Sequence, residues 1–237
     1  MYERVVSMPV PQGLPAEVAA QLPRQRKNNF ELLYTHEKLL WQAAPTADEE
    51  GSIEASGGGM TIRMMGGGDD ASFIHLVEGR RTDKRSILQQ EYIVGDTVQK
   101  LAWRLHPDTK EVLGVPVQKA TTQRMVTRTI MTMENGQMKQ EPRTDTVQIT
   151  AWFAPSMPVA AGPAELAGSL PGIILEANVN NGRTVYRALE ISGKVSKDAI
   201  KEPKGKKITT AEFTKERNRL MEEMRRNRGP NEVIRVN

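Results

Sequence analysis

Cysteine is absent from the 237 residues. That excludes disulfide bridges, thiolate zinc sites and a cysteine nucleophile together. Long apolar runs are missing as well: none approaches the ~18 residues that a membrane-crossing helix needs. The chain is not expected to span a membrane. The opening Met1-Tyr2-Glu3-Arg4 contains no apolar segment able to act as a signal peptide. With 38% hydrophobic and 26% charged residues, the chain can still bury a core.

Catalytic signatures are lacking too. His36, His75 and His106 stand in unrelated contexts, and none opens an H-E-x-x-H pair. Gly168-Ser169-Leu170 lacks the second glycine of a nucleophile elbow, and Gly205-Lys206 is followed by Lys207 rather than by the Ser or Thr of a phosphate loop. The string from Gly66 to Ala71 matches G-x-G-x-x-A. However, a strand-like Ser72-Phe73-Ile74-His75 follows it, and Asp69 and Asp70 would repel a pyrophosphate. No cofactor is assigned and no enzyme activity is expected. Glu165, Glu176 and Glu190 are the carboxylates that an enzyme reading would need to converge.

Charge is distributed unevenly. The net charge is +4, but residues 194–237 carry 13 basic and 7 acidic residues, leaving the body slightly acidic. A uniformly basic nucleic-acid binder is therefore not indicated. Interleaved Glu202, Glu212, Glu216, Glu222 and Glu223 read as a solvated helix face rather than a phosphate-binding one.

What is present is period-two alternation. In 145–153, Val147, Ile149, Ala151 and Phe153 would face one side and Thr146, Gln148, Thr150 and Trp152 the other, as in a strand with one buried face. In 183–191, Val185, Leu189 and Ile191 would form the apolar side, interrupted by Arg187. Further strands are expected over 30–35, 38–43, 72–78, 86–94, 99–105 and 116–122. Asn135-Gly136 and Asn181-Gly182 suit type I′ hairpin turns, which need positive φ.

Two helices are expected. One starts at Pro15 and ends near Leu22, before Pro23. The other runs from Thr210 to about Asn227, with Thr209 and Glu212 at capping-box spacing, Ile208 and Phe213 as a staple, and Gly229-Pro230 as the stop. Short gaps between strands point to a mainly β fold: a curved antiparallel meander, partly closed like a half-barrel, with a short N-terminal helix and a charged C-terminal one. The domain reading is one β domain over 1–200 and a basic helical tail over 201–237. The glycine runs at 57–59 and 66–68 flank a short strand in a mobile loop. Met60, Met64 and Met65 there, or Met131 and Met133, offer thioethers to Cu(I) or fill gaps between side chains.

The most unusual composition lies between Ala151 and Glu176. A strand ends at Phe153, and Pro155, Pro158 and Pro163 then hold the path extended. Pro171-Gly172 turns it into the apolar run Ile173-Ile174-Leu175. Such a corner fixes a connection or presents a surface to a partner.

This segment resembles the signature of the GLPGLI family, secreted proteins of Bacteroidetes with a largely undefined role. The hexapeptide corresponds to Ser169-Leu170-Pro171-Gly172-Ile173-Ile174, with Ser for the first Gly and Ile for one Leu. The preceding elements correspond to Ala151, Trp152, Phe153, Pro155, Met157, Pro158, Gly162 and Pro163. Trp103, the turn Lys110-Glu111-Val112-Leu113-Gly114 and Gln118-Lys119-Ala120 also look familial, although Val115 and Val117 replace the family's Tyr and Cys. Tyr2-Glu3 and Lys206-Lys207-Ile208-Thr209-Thr210 extend the likeness to both ends.

The resemblance implies export, so that Met1 would lie just past a removed signal peptide in the periplasm or outside the cell. It implies no catalytic residues. The leading expectation is a non-enzymatic accessory protein of the cell envelope whose sheet cups an apolar small molecule or lipid. The alternative is an interaction protein docking to an outer-membrane transporter or secretion component through the corner at 152–171.

Overall fold

Alternating apolar residues bury one face only when neighbouring strands hydrogen-bond at their flanks, and more than half of the described chain meets that demand by pairing with itself. A computed structural model of the chain describes residues 1–8, 16–44, 53–57, 60–64, 71–87, 90–134, 137–193, 195–226 and 234–236. In chain order the first half contains β1 (Tyr2–Ser7), α1 (Ala16–Gln21), β2 (Gln25–Tyr34), β3 (Lys38–Ala43), β4 (Ile53–Gly57), β5 (Met60–Met64), β6 (Ala71–His75), β7 (Arg80–Ile87) and β8 (Gln90–Thr97). The second half contains β9 (Arg104–Val112), β10 (Val115–Glu134), β11 (Gln137–Ala154), β12 (Ile173–Val179), β13 (Thr184–Ala188), β14 (Lys207–Thr209), α2 (Thr210–Arg226) and β15 (Ile234–Val236).

Twelve strands form one sheet in the order β14-β8-β7-β6-β3-β2-β1-β13-β12-β11-β10-β9. All its neighbours are antiparallel except β14 with β8. The fold is mainly β, as the alternation predicts. Two meanders, β2 to β8 and β9 to β13, are stitched together by β1, which pairs with β2 on one side and β13 on the other. A second sheet, β15-β5-β4, holds the Met60–Met64 strand, with α1 beside it.

Connectivity forces the large sheet to curl. β8 and β9 lie near opposite edges, ten strand spacings apart, or about 48 Å if flat. The linking residues 98–103 reach no more than about 24 Å. The sheet therefore bends until its edges approach, without closing, since among the described residues β14 and β9 have no strand paired on their outer sides. The concave face holds the main core: Tyr2, Phe30, Leu39, Trp41, Ile74, Ile149, Phe153 and Tyr186 are buried there. Trp41 stacks on Phe30 at 4.8 Å and meets Tyr2 edge-on at 5.4 Å.

Several expectations hold residue by residue. Val147, Ile149, Ala151 and Phe153 are buried, while Thr146 and Gln148 are exposed. In the 180–183 turn the Arg183 N–H donates to the Asn180 carbonyl at 3.1 Å, and Asn181 and Gly182 have φ of 53° and 87°. Asn135-Gly136 lies outside the described residues, but the ladder beside it runs out to Glu134 opposite Gln137. The capping box forms: the Thr209 N–H donates to Glu212 Oε2 at 2.7 Å, and the Glu212 N–H to Thr209 Oγ1 at 3.2 Å. Ile208 and Phe213 share a cluster with Ile87, Tyr92 and Val94, which docks α2 on the sheet. Pro15 and Gly229-Pro230 lie outside the described residues.

Others need correction. The strand expected over 86–94 is two antiparallel strands, β7 and β8, whose pairing runs to Ile87 opposite Gln90. No Gly, Pro or Asn marks that reversal. The strand expected over 99–105 starts only at Arg104, because the residues before it cross beneath the curl. In β13 the buried side is Tyr186 and Ala188, while Leu189 is 48% exposed. Registry with Tyr2 opposite Ala188 and Arg4 opposite Tyr186 sets that face, overriding the Val185/Leu189 pattern.

Close backbone approach at Gly172 fixes how β12 enters the sheet. A Cβ there would lie 2.2 Å from the Ala154 carbonyl oxygen. Gly172→Ala is expected to destabilise the fold by about 3 kcal/mol, and Gly193→Ala, with open space around it, to change little. Chemical denaturation of both variants checks this.

Candidate functional site

After β11 the chain leaves the sheet at Ala154 and returns at Ile173, and the intervening residues fold back over the concave face. Met157 donates its N–H to the Ala154 carbonyl at 3.1 Å, and Ile173 donates to the Met157 carbonyl at 3.2 Å. The two limbs of the corner therefore run side by side. Val159, Ala161, Leu166, Ala167 and Leu170 are buried against the sheet. Gly162 lies under Ile174, where an added Cβ would come within 2.9 Å of Cδ1. Gly168, at φ +92°, lies against Val98, with 2.5 Å from its would-be Cβ to Val98 Cγ1.

Residues 98–103 press on this connection from the other side. Trp103 donates its indole N–H to Ser169 Oγ at 2.8 Å, and Thr122 Oγ1 donates to the Ala102 carbonyl at 2.8 Å. From below, Tyr2 donates its hydroxyl to the Ile174 carbonyl at 2.7 Å. That carbonyl lies at a bulge where β11 and β12 shift register between Trp152 and Phe153. Burial pushes the Tyr2 hydroxyl far above the usual tyrosine range, so it stays a donor.

The motif residues separate into two groups. Gly162, Pro163, Leu170 and Gly172 are buried, and Trp103 is half-buried and tied to Ser169. Pro155, Pro158 and Pro171 are exposed, and Trp152 on β11 is half-buried. The Lys110 ammonium sits 4.5 Å from the Trp152 ring centroid and donates to Glu176 Oε2 at 2.7 Å. The corner thus leaves three prolines exposed, and on the neighbouring strands a tryptophan, a cation and a carboxylate stand together.

Glu165, Glu176 and Glu190 are not assembled into one centre. Arg124 donates to Glu165 Oε1 at 2.6 Å and Lys110 to Glu176, so each carboxylate has its own cation. Glu190 is exposed beyond the end of β13. Burial first, and Glu165 second, push the neighbouring Tyr186 hydroxyl up to about 12. The histidines also stay apart: His106 bonds Thr121 Oγ1 at 2.8 Å, and His75 accepts from the Glu78 N–H at 3.3 Å. Among the described residues, no three His, Cys, Asp or Glu side chains stand close enough to hold a metal. Met60 and Met64 end β5, Met131 and Met133 lie on β10, and Met65 is outside the described residues.

A buried charge lies apart from the motif residues. Asp83, 6% exposed, accepts from Ser72 Oγ, Arg81 Nε and Arg85 at 2.7 Å each. Its signal was legible as Arg81-x-Asp83-x-Arg85, which period two places on one strand face. Burial opposes its ionisation, but the Arg81 charge and the three donors outweigh that and hold its carboxyl below the usual range. A depressed folded value stabilises the protein above the unfolded carboxyl value of about 3.9 and loses that contribution as pH falls through the folded one. Asp83→Asn is expected to cost about 2 kcal/mol at pH 7, less than a fully buried pair because Arg85 reaches solvent. Its melting deficit should shrink as melts are repeated from pH 5 down to pH 2.

Comparison with known proteins places the site within a recognised stretch. Residues 103–176, from Trp103 through the corner to Glu176, match a family described as protein of unknown function, Porph_ging. No curated protein matches the chain. Two solved structures of PNGF-II, in C2 and P21 crystal forms, are similar at TM-scores of 0.52 and 0.50 with 13% and 14% identity. Each alignment covers 90% of this chain but only 31% and 32% of the other, so the chain spans about a third of their length. At that identity the likeness is one of fold.

Proposed function

We propose that this chain is a non-enzymatic interaction protein of the cell envelope. It works outside the cytoplasm and docks to a partner through the rim formed by Pro155, Pro158 and Pro171 beside Trp152. The observation that carries this reading is the separation of the corner into a pinned underside and an exposed upper side. Gly162, Gly168 and Gly172 allow contacts too close for any side chain, so the prolines are held in place before a partner arrives. A preformed surface loses little entropy on binding. Trp152, with Lys110 over its ring and Glu176 beside it, adds an aromatic anchor edged by both charges.

The rim is favoured over an apolar ligand cup for a packing reason. The concave face that a lipid would need already buries Val159, Ala161, Leu166 and Leu170 of the same chain. Placement in the envelope rests on the GLPGLI resemblance, whose residues fall largely in the 103–176 match. A partner in keeping with that setting is an outer-membrane transporter or a secretion component.

The test uses the full chain as bait in a detergent-solubilised envelope fraction. Wild type is expected to retain a defined envelope protein, and Pro155→Glu/Pro158→Glu/Pro171→Glu to lose it at least tenfold while keeping its circular dichroism and melting temperature. Equal capture by the triple variant removes the rim as the docking surface. Solvent extraction of the purified protein yielding stoichiometric lipid would favour the cup instead.

A further inference from the structure

β10 and β11 continue far beyond the strands that flank them. β9 stops pairing with β10 at Thr121, and β12 meets β11 only from Ile149, yet β10 and β11 stay paired to Glu134 opposite Gln137. The extension is an arm about 40 Å long. Among the described residues no further strand flanks either edge of this ribbon, and a two-stranded ribbon is only marginally stable in water.

The two edges are not equivalent. Pro142 lies on β11 opposite Thr129. Having no N–H, proline fits a paired strand where its nitrogen faces away from the partner, so Thr129 and Pro142 form a non-hydrogen-bonded pair. Thr127 and Thr144, two residues along, fit the same class: their hydroxyls meet at 3.0 Å, and side chains are closest in such pairs. Odd-numbered residues of β10 therefore turn their N–H and C=O outward. The outer edge of β11 is interrupted by Pro142, whereas that of β10 contains no proline from Thr122 to Glu134.

We infer that this edge of β10 pairs antiparallel with the same edge of a second copy of the chain, centred on Thr129. Outward groups must meet outward groups, so a symmetric pairing centres on a single residue. A centre at Thr127 or earlier drives the end of one arm into β9, which already occupies β10 up to Thr121. A centre at Arg128 opposes two arginines. Thr129 gives the longest remaining register, from Arg124 to Glu134, and sets Arg124 of each copy, one amino group of which already donates to Glu165 of its own chain, opposite Glu134 of the other, with Arg128 opposite Ile130. Opposite charges at both ends and none alike face to face fit a second copy. The two arms become a four-stranded ribbon.

Sedimentation velocity of the full chain at tens of micromolar is expected to show a dimer. Thr129→Pro removes an outward N–H and leaves the β10–β11 ladder intact; it should weaken the dimer at least tenfold. Gln140→Pro, on the outer side of β11, should not. Glu134→Arg opposes Arg124 and should weaken the dimer in a salt-dependent way. Because the chain has no cysteine, Thr129→Cys should cross-link to itself under mild oxidation at a Cα separation of about 5.5 Å, while Thr144→Cys should not. A monomeric wild type, a dimer indifferent to Thr129→Pro and Glu134→Arg, or equal cross-linking at both positions would overturn the assignment.

Discussion

The interior of this fold depends on two chain segments crossing inside a sheet that must curl to let them pass. Residues 98–103 carry the chain from one edge of the large sheet to the other, and the connection between β11 and β12 folds over the same concave face. They touch where Gly168 meets Val98 and where Trp103 bonds Ser169. Residues 98–103 have no helix or strand of their own to satisfy their backbone, and the β11–β12 connection has only a single 3-10 turn at Ala164–Leu166. Both are held by contacts of van der Waals closeness and by specific hydrogen bonds, notably Thr122 to Ala102 and Tyr2 to Ile174. A side chain on Gly172 would meet the Ala154 carbonyl oxygen at 2.2 Å and push the connection off the sheet.

The same crossing explains why the corner has two unlike sides. Its inner residues are consumed in completing the core that a curled single sheet cannot complete alone. Its outer residues, among them three prolines, carry no comparable packing duty. The position of this outer surface is set by the close packing beneath it. The carboxylates nearby are each matched to one cation, as Glu165 is to Arg124 and Glu176 is to Lys110. Asp83, with Arg81 and Arg85, meets the same need farther along the face.

Much of this was legible in local pattern, and the failures share a cause. The faces of β11, the Asn181-Gly182 turn and the Thr209–Glu212 cap were readable because each is settled within a few residues. The reversal between β7 and β8 carries no turn residue, and the start of β9 is delayed by a crossing that local pattern does not register. In β13 the apolar pattern pointed to the wrong face, since pairing with β1 decides which side is inward. Trp152 and the prolines stood out in composition, but nothing local told the exposed Pro155, Pro158 and Pro171 from the buried Pro163.

Alternation, turn chemistry and capping by themselves determined that the chain is mainly β, where most strands run, where the last helix begins and where an unusual corner interrupts the pattern. These follow from interactions between residues near in sequence. Which strand lies at the centre, how tightly the sheet curls, which side of the corner meets solvent and how far β10 and β11 outrun their neighbours were decided only in three dimensions. Each depends on pairing between segments distant in sequence, as when β1 joins β13 and the whole sheet takes its order from that seam.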